Sequence, residues 1–162
     1  MNDSSISAVI NTYNEELNIR DCIESVKHIV DEIVVVDMHS SDRTAEIARS
    51  LGARVLFFSH AEYVEPARNF ALQQARGGWI LLLDADERFV ESYPGELGAV
   101  LRRSADIDGY RIPRRNNLLG RWLTGTRLGP DEEQHIRLFR RGAARWSDRI
   151  HSAPAIEPKH HG

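Results

Sequence analysis

Two aspartates separated by one alanine, Asp84 and Asp86, close the apolar run WILLL of residues 79–83. Carboxylates this close repel each other unless a cation or a set of donors stands between them. In an extended segment residues two apart share a face, so the spacing lets both carboxylates meet one ligand. A divalent cation carrying phosphate suits that role, because Mg²⁺ and Mn²⁺ take oxygen ligands and keep coordination positions for substrate phosphates. A third carboxylate, Asp37, ends the run EIVVV of residues 32–36. The competing reading is that Asp84 and Asp86 only cap the turn into ERFV, since aspartates are common in turns.

Acids at the ends of buried strands need a sheet that presents those ends together. ISAVINT (6–12), EIVVVD (32–37), RVLFF (54–58) and WILLLD (79–84) are rich in β-branched and aliphatic residues and predict four strands. Between them lie amphipathic or cap-rich stretches. Leu17, Ile19, Cys22, Ile23, Val26 and Ile29 repeat at helical spacing and predict a helix over 15–29. SSDRTAEIARSLGA predicts a short helix stopped by Gly52, and Pro66 suits the first turn of PARNFALQQA. The β-α alternation means an α/β fold with a mostly parallel sheet flanked by helices. Ligands of such sheets bind outside the carboxyl ends of the strands, where Asp37, Asp84 and Asp86 stand. Beyond Pro94 the pattern changes to one helix, GELGAVLRR, and short pieces (GYRIPRR, LGRWL, QHIRLFRR, ARWSDRI) that predict antiparallel strands and loops.

The 162 residues suffice for one domain with its own core, here residues 1–157, and EPKHHG at the end reads as a frayed tail over 158–162. A formal charge of −3 gives no net pull toward nucleic acid, and no recognised nucleic-acid module accompanies the arginines. Cys22, the only cysteine, lies on the apolar side of its helix and reads as core filling, which suits a reducing cytoplasm. No apolar run approaches the ~18 residues of a membrane span, so the expected location is cytoplasmic, with peripheral contact at the inner face of the cell membrane. His28, His39, His60 and His135 show no zinc-ligand spacing with one another. The stretch RIPRRNNLLGRW (111–122), with Arg137, Arg140 and Arg141, makes the second half locally basic. Solvation, a phosphate clamp and contact with an anionic membrane surface compete to explain it.

Taken together, AVINTYNEE, IVVVDMHSSDRTAEIA, ARNFALQQARGGWILLLDADE and IRLFRR stand in the order and spacing of the inverting family-two glycosyltransferases. Within that family the chain resembles the lipopolysaccharide-core glucosyltransferases of bacteria. The resemblance implies a GT-A fold, a nucleotide-sugar donor, UDP-linked by preference, a glycan or lipid-linked acceptor and Mn²⁺ or Mg²⁺ as cofactor. It implies that Thr12, Tyr13, Asn14 and Glu16 line the nucleotide pocket and that Asp37 holds the base or ribose. Asp37, Ser40, Asp42 and Thr44 match the family's D-x-x-S-x-D-x-T register, but Met38 and His39 stand where glycine or serine is usual. Arg68 of the ARN segment is expected near the nucleotide or its diphosphate, Asp84 at the ribose and Asp86 on the metal.

Inverting transfer also needs a base for the acceptor hydroxyl. The family places an acid shortly before the RLF strand, where Asp131, Glu132 and Glu133 stand, with Glu133 preferred among the three. A surface acidic loop explains them equally. His151, in a stretch like the family's tryptophan-to-histidine segment, is a second metal candidate, although Ser152 replaces the expected glutamate. Two other classes remain: a nucleotide-sugar-binding domain without transfer activity, and a haloacid-dehalogenase-type phosphatase. The phosphatase would make Asp84 a nucleophile but expects Thr or Val where Arg88 stands.

Overall fold

Each β-branched or leucine-rich run forms a strand, because such side chains pack well on a pleated surface covered on both faces. The computed structural model describes residues 4–59, 65–91, 95–102, 107–123, 134–147 and 155–156. Its elements run β1 (Ile6–Thr12), α1 (Ile19–Val26), β2 (Glu32–Asp37), α2 (Thr44–Ser50), β3 (Arg54–Phe57), α3 (Glu65–Gln74), β4 (Trp79–Asp84) and α4 (Glu96–Arg102). They continue as β5 (Gly109–Pro113), β6 (Asn117–Leu118), β7 (Arg121–Trp122), β8 (Gln134–Arg140), β9 (Ala144–Arg145) and β10 (Ala155–Ile156).

The main sheet has the order β3-β2-β1-β4-β8-β5. Its first four strands are parallel, and β8 pairs antiparallel with both β4 and β5. The expected parallel α/β half and antiparallel carboxyl-terminal part are both present. Odd and even positions feed separate cores. Ala8, Ile10, Val35 and Leu81 pack with Ile19, Cys22, Ile23 and Val26 of α1, whereas Val9, Val34, Val36 and Leu82 pack with Ala67, Ala71 and Leu72 of α3. Cys22 is core filling as expected, and burial pushes its thiol up to about 12, beyond reactive range.

The registers Thr12↔Asp37 and Asp37↔Phe57 align the strand ends on one face, and Asn11↔Asp84 aligns them on the other. At the opposite end of β4, a Cβ on Gly77 would sit 2.7 Å from Ser7 Oγ and 2.8 Å from Ser7 N. Gly77 also donates its N–H to Ser7 Oγ at 2.7 Å, so a bare backbone is what lets the loop before β4 lie against β1.

Helix α1 is shorter than its apolar spacing predicts. Residues 15–18 form a turn, with Asn18 and Ile19 N–H groups on the Glu15 carbonyl, and Leu17 is 87% exposed rather than part of the apolar face. The backbone N–H groups before the helix are held instead by side chains from the loop after β2. After Leu118, LGRWL forms the turn and second arm of the antiparallel β6–β7 hairpin, within the strands and loops expected there.

Candidate functional site

The loops after β1 and β2 are stitched together by their polar residues. Asn14 N–H donates to Ser40 Oγ at 2.8 Å, Glu15 N–H to Thr44 Oγ1 at 2.8 Å and Glu16 N–H to Asp42 Oδ2 at 3.0 Å. In return Ser41 N–H reaches Asn14 Oδ1 at 2.8 Å, Arg43 N–H reaches Glu16 Oε2 at 3.2 Å, and Ser40 N–H reaches Asp37 Oδ1 at 2.7 Å. Burial alone would raise the Asp42 carboxyl, but donors from Thr44 and Glu16 hold it below its ordinary value. The side chains of Asn14, Glu16, Ser40, Asp42 and Thr44 therefore shape the rim through one another.

His39 takes up the geometry of this loop. Its φ is +62°, a region that glycine enters freely and that costs other residues about 1 kcal/mol. The imidazole stacks on Phe57 at 5.3 Å between centroids, so a histidine occupies a position for which the resemblance leads one to expect a small residue.

Several polar atoms around the strand ends are buried without a hydrogen-bond partner among the described residues. They are both amide atoms of Asn11, Thr12 Oγ1, Asp37 Oδ2 and Arg68 Nε. Asp37 is fully buried, and Asn11 and Thr12 are 4% and 2% exposed. An orphaned buried donor or acceptor costs ~1–3 kcal/mol, so a cluster of them at one rim fits a site that a polar ligand completes. Tyr13 stands beside them, half exposed. Asn11 was not singled out by the sequence reading; its signal is an amide inside an otherwise apolar strand.

Asp84 and Asp86 have different surroundings. Strand β4 ends at Asp84 and the chain turns at once, Glu87 N–H returning to the Asp84 carbonyl at 2.9 Å, so the extended geometry that would align the two aspartates is absent. Asp84 Oδ1 accepts from Arg68 Nη2 at 2.7 Å and Oδ2 from Arg137 Nη2 at 3.0 Å. Arg137 also donates to Glu87 Oε1 at 2.6 Å, and Glu87 Oε2 accepts the Asp84 N–H at 2.9 Å. Burial works against the charged form of Asp84, yet the Arg137 and Arg68 guanidiniums outweigh it and hold the carboxyl below its usual range. From the other side Arg88 Nη1 binds the carbonyls of Ala85 at 3.3 Å and Glu87 at 3.0 Å. The result is a fixed turn with Asp86 at its apex, exposed and without hydrogen bond or ion pair among the described residues.

Glu87 and Arg137 are thus site residues the sequence reading did not assign. Arg137 and Arg140 are not part of a solvated face. Arg137 is tied into the carboxylates, while Arg140 is 8% exposed, donates to the Ile107 carbonyl at 3.1 Å and lies 4.7 Å over the Trp79 ring. Arg68 lies 5.8 Å over the ring of Trp146, whose backbone is held by Asn69 through two hydrogen bonds of 2.9 and 3.0 Å. Asn69 accordingly anchors the segment after β9. Asp131, Glu132, Glu133 and His151 lie outside the described residues, as does the tail over 158–162.

No group of three metal-ligating side chains occurs among the described residues. That fits a cation of the Mg²⁺ or Mn²⁺ kind held by one protein carboxylate and completed by phosphate oxygens, since the open donors are those of Asp86 alone in the pair. A phosphatase nucleophile at Asp84 fits poorly, because both of its oxygens are engaged by guanidiniums.

The description of glycosyl transferase family 2 matches residues 7–154. A lipopolysaccharide core biosynthesis glycosyltransferase of Rhizobium meliloti, LpsC, is 34% identical over 153 residues, covering 90% of this chain and 55% of its own. The chain thus spans about half the length of that relative. Glucosyl-3-phosphoglycerate synthase of Mycobacterium tuberculosis, solved with Mn²⁺ and UDP-glucose, is 26% identical with a TM-score of 0.54, covering 65% of this chain and 42% of that one. TarS of S. aureus, solved with UDP, is 24% identical and similar in fold, with a TM-score of 0.59 over 74% of this chain and 38% of that one. On this match and this sheet, the chain belongs to glycosyl transferase family 2 and has the GT-A fold.

Proposed function

We propose that this chain binds a nucleotide-sugar donor, UDP-linked, and transfers its sugar with inversion to a glycan or lipid-linked acceptor of the cell envelope. The observation that carries this reading is the pairing of a rim of orphaned buried polar atoms (Asn11, Thr12, Asp37) with one open carboxylate, Asp86, on a braced turn. Asp37 Oδ2 would accept from the base or ribose, with Thr12 and Tyr13 beside it. Arg68 Nε, buried and unpartnered among the described residues, is a donor suited to a diphosphate oxygen, and its charge persists at any relevant pH.

Asp86 would hold Mn²⁺ or Mg²⁺, which when bound offsets the charge that grows on the departing nucleotide diphosphate. Asp84 holds Arg68 and Arg137 in place instead of reaching the metal, and its proximity to the ribose remains part of the reading. The base that takes the acceptor hydroxyl proton is sought among Asp131, Glu132 and Glu133, with His151 as a further metal candidate. Residues 1–157 would form one domain. LpsC, named for lipopolysaccharide core biosynthesis, supports the cell-envelope acceptor, and the synthase solved with Mn²⁺ and UDP-glucose supports the donor and metal assignments.

The alternative reading is a domain that binds the donor without transferring the sugar. Both are tested by titrating UDP-sugars with and without Mn²⁺ and assaying released UDP with lipid-linked and soluble glycan acceptors. Acceptor-dependent release of UDP supports transfer, and Mn²⁺-dependent binding without release supports donor binding alone. Absence of any UDP-sugar binding overturns both.

A further inference from the structure

The β6–β7 hairpin carries a feature that donor chemistry does not use. Asn117 pairs with Trp122 and Leu118 with Arg121, leaving Leu119 and Gly120 as a two-residue turn with φ of +51° and +79°. Turns of this kind favour Asn and Gly because both residues need positive φ. The chain accepts the strain of placing leucine there, and Leu119 is 96% exposed. Trp122, in the paired arm, is 64% exposed. The ribbon itself is ordered: Gly120 N–H donates to Asn117 Oδ1 at 3.0 Å and Leu123 N–H to the Asn116 carbonyl at 2.9 Å.

Charge accompanies this apolar tip. Residues 109–123 contain Arg111, Arg114, Arg115 and Arg121 and neither aspartate nor glutamate. Arg111, Arg115 and Arg121 are exposed, and Arg114 Nε lies 3.9 Å from Glu87, which roots the ribbon beside the turn that carries Asp86.

We infer that this hairpin docks the protein on an anionic lipid bilayer, with Leu119 and Trp122 entering the interfacial layer and the arginines facing lipid phosphates. The occupant follows from complementarity. An aliphatic tip, an indole with an apolar body and a polar N–H, and a purely cationic flank match the three levels of such an interface: acyl boundary, headgroup edge and negative surface potential. The root at Glu87 then brings the bilayer surface close to the Asp86 turn. The inference does not depend on the donor reading, since it concerns a different surface with a different readout.

Trp79 and Trp146 are buried at 1% and 3% exposure, so Trp122 is the tryptophan whose fluorescence answers to solvent. The test adds vesicles of phosphatidylcholine, with or without phosphatidylglycerol, and follows emission wavelength, acrylamide quenching and co-sedimentation. Anionic vesicles are expected to shift Trp122 emission to the blue, to protect it from quenching, and to do so less at high salt. Leu119→Asp is expected to lower co-sedimentation ~10-fold or more, with an unchanged far-UV spectrum and melting temperature. A second variant, Trp122→Phe, should still sediment but lose the blue shift. Equal behaviour with neutral and anionic vesicles, or sedimentation unchanged by Leu119→Asp, would overturn the inference. So would a Trp122 response to soluble oligosaccharide alone, which would mark a sugar platform, or protein-concentration-dependent burial without lipid, which would mark self-association.

Discussion

Arg137 donates to Asp84 at 3.0 Å and to Glu87 at 2.6 Å, while Glu87 accepts the backbone N–H of Asp84, so one guanidinium from β8 fixes both ends of the turn that follows β4. This relationship separates two aspartates that look equivalent in sequence. Both oxygens of Asp84 are engaged by guanidiniums, whereas Asp86 is exposed and makes no hydrogen bond or ion pair among the described residues.

The first consequence is a difference in stability. Asp84→Ala removes the shared partner of Arg68 and Arg137, whose side chains are 14% and 12% exposed, and leaves two poorly solvated cations. Because Arg137 keeps Glu87 and the Asp84 side chain is 29% exposed, the expected cost is ~1–3 kcal/mol. A urea melt should show a lower midpoint with an unchanged slope.

The same pair sets the response to acid. Because the native carboxyl of Asp84 titrates below its ordinary range, its contribution to stability is full above an unfolded pKa of about 4 and is lost as pH falls through that value toward the lowered native one. Glu32 acts in the same direction: burial opposes it, but donors from Ser7, Arg76 and Arg54 lower it. Melting temperature should fall between pH 5 and pH 3, and the fall should be smaller in Asp84→Asn, which has no carboxyl to protonate there.

Gly77→Ala tests the fit between the loop before β4 and the start of β1. The added Cβ meets Ser7 backbone at 2.8 Å, so something must shift, at a cost of ~1–3 kcal/mol. Thermal melts should show the loss. The carboxyl rim lies at the other end of the strands, so donor affinity measured below the melting transition should stay the same.

How far the sequence could be read follows from where the information sits. The order of strands and helices over residues 6–84 was legible because apolar strand runs alternate with helical-period stretches, with Asp37 and Asp84 ending two of the strands and Gly52 and Gly77 separating helices from the strands that follow. The place of Asp37 at the end of β2 was legible for the same reason, whereas Asp86 lies not on an extended strand end but on the turn after β4. The length of α1 was not, because the N–H groups of residues 14–16 are claimed by Ser40, Asp42 and Thr44, a competition between loops that helical periodicity cannot register. Nor was the division of labour between Asp84 and Asp86, since Arg137 lies 53 residues along the chain from Asp84 and arrives through the pairing of β8 with β4. Asn11 lies inside the ISAVINT run, where strand periodicity assigns an amide no role, and only its burial without a partner among the described residues marks it.

The most direct test of the account is calorimetric binding of UDP to the wild-type chain and to Asp86→Ala, with and without Mn²⁺, beside a thermal melt of each. Asp86 is exposed, so the variant should melt as the wild type does, within about 0.5 kcal/mol. The account predicts that Mn²⁺ strengthens UDP binding to the wild type and that Asp86→Ala loses that gain, by ~10-fold or more. Equal Mn²⁺-dependent affinity in a folded Asp86→Ala variant would contradict it.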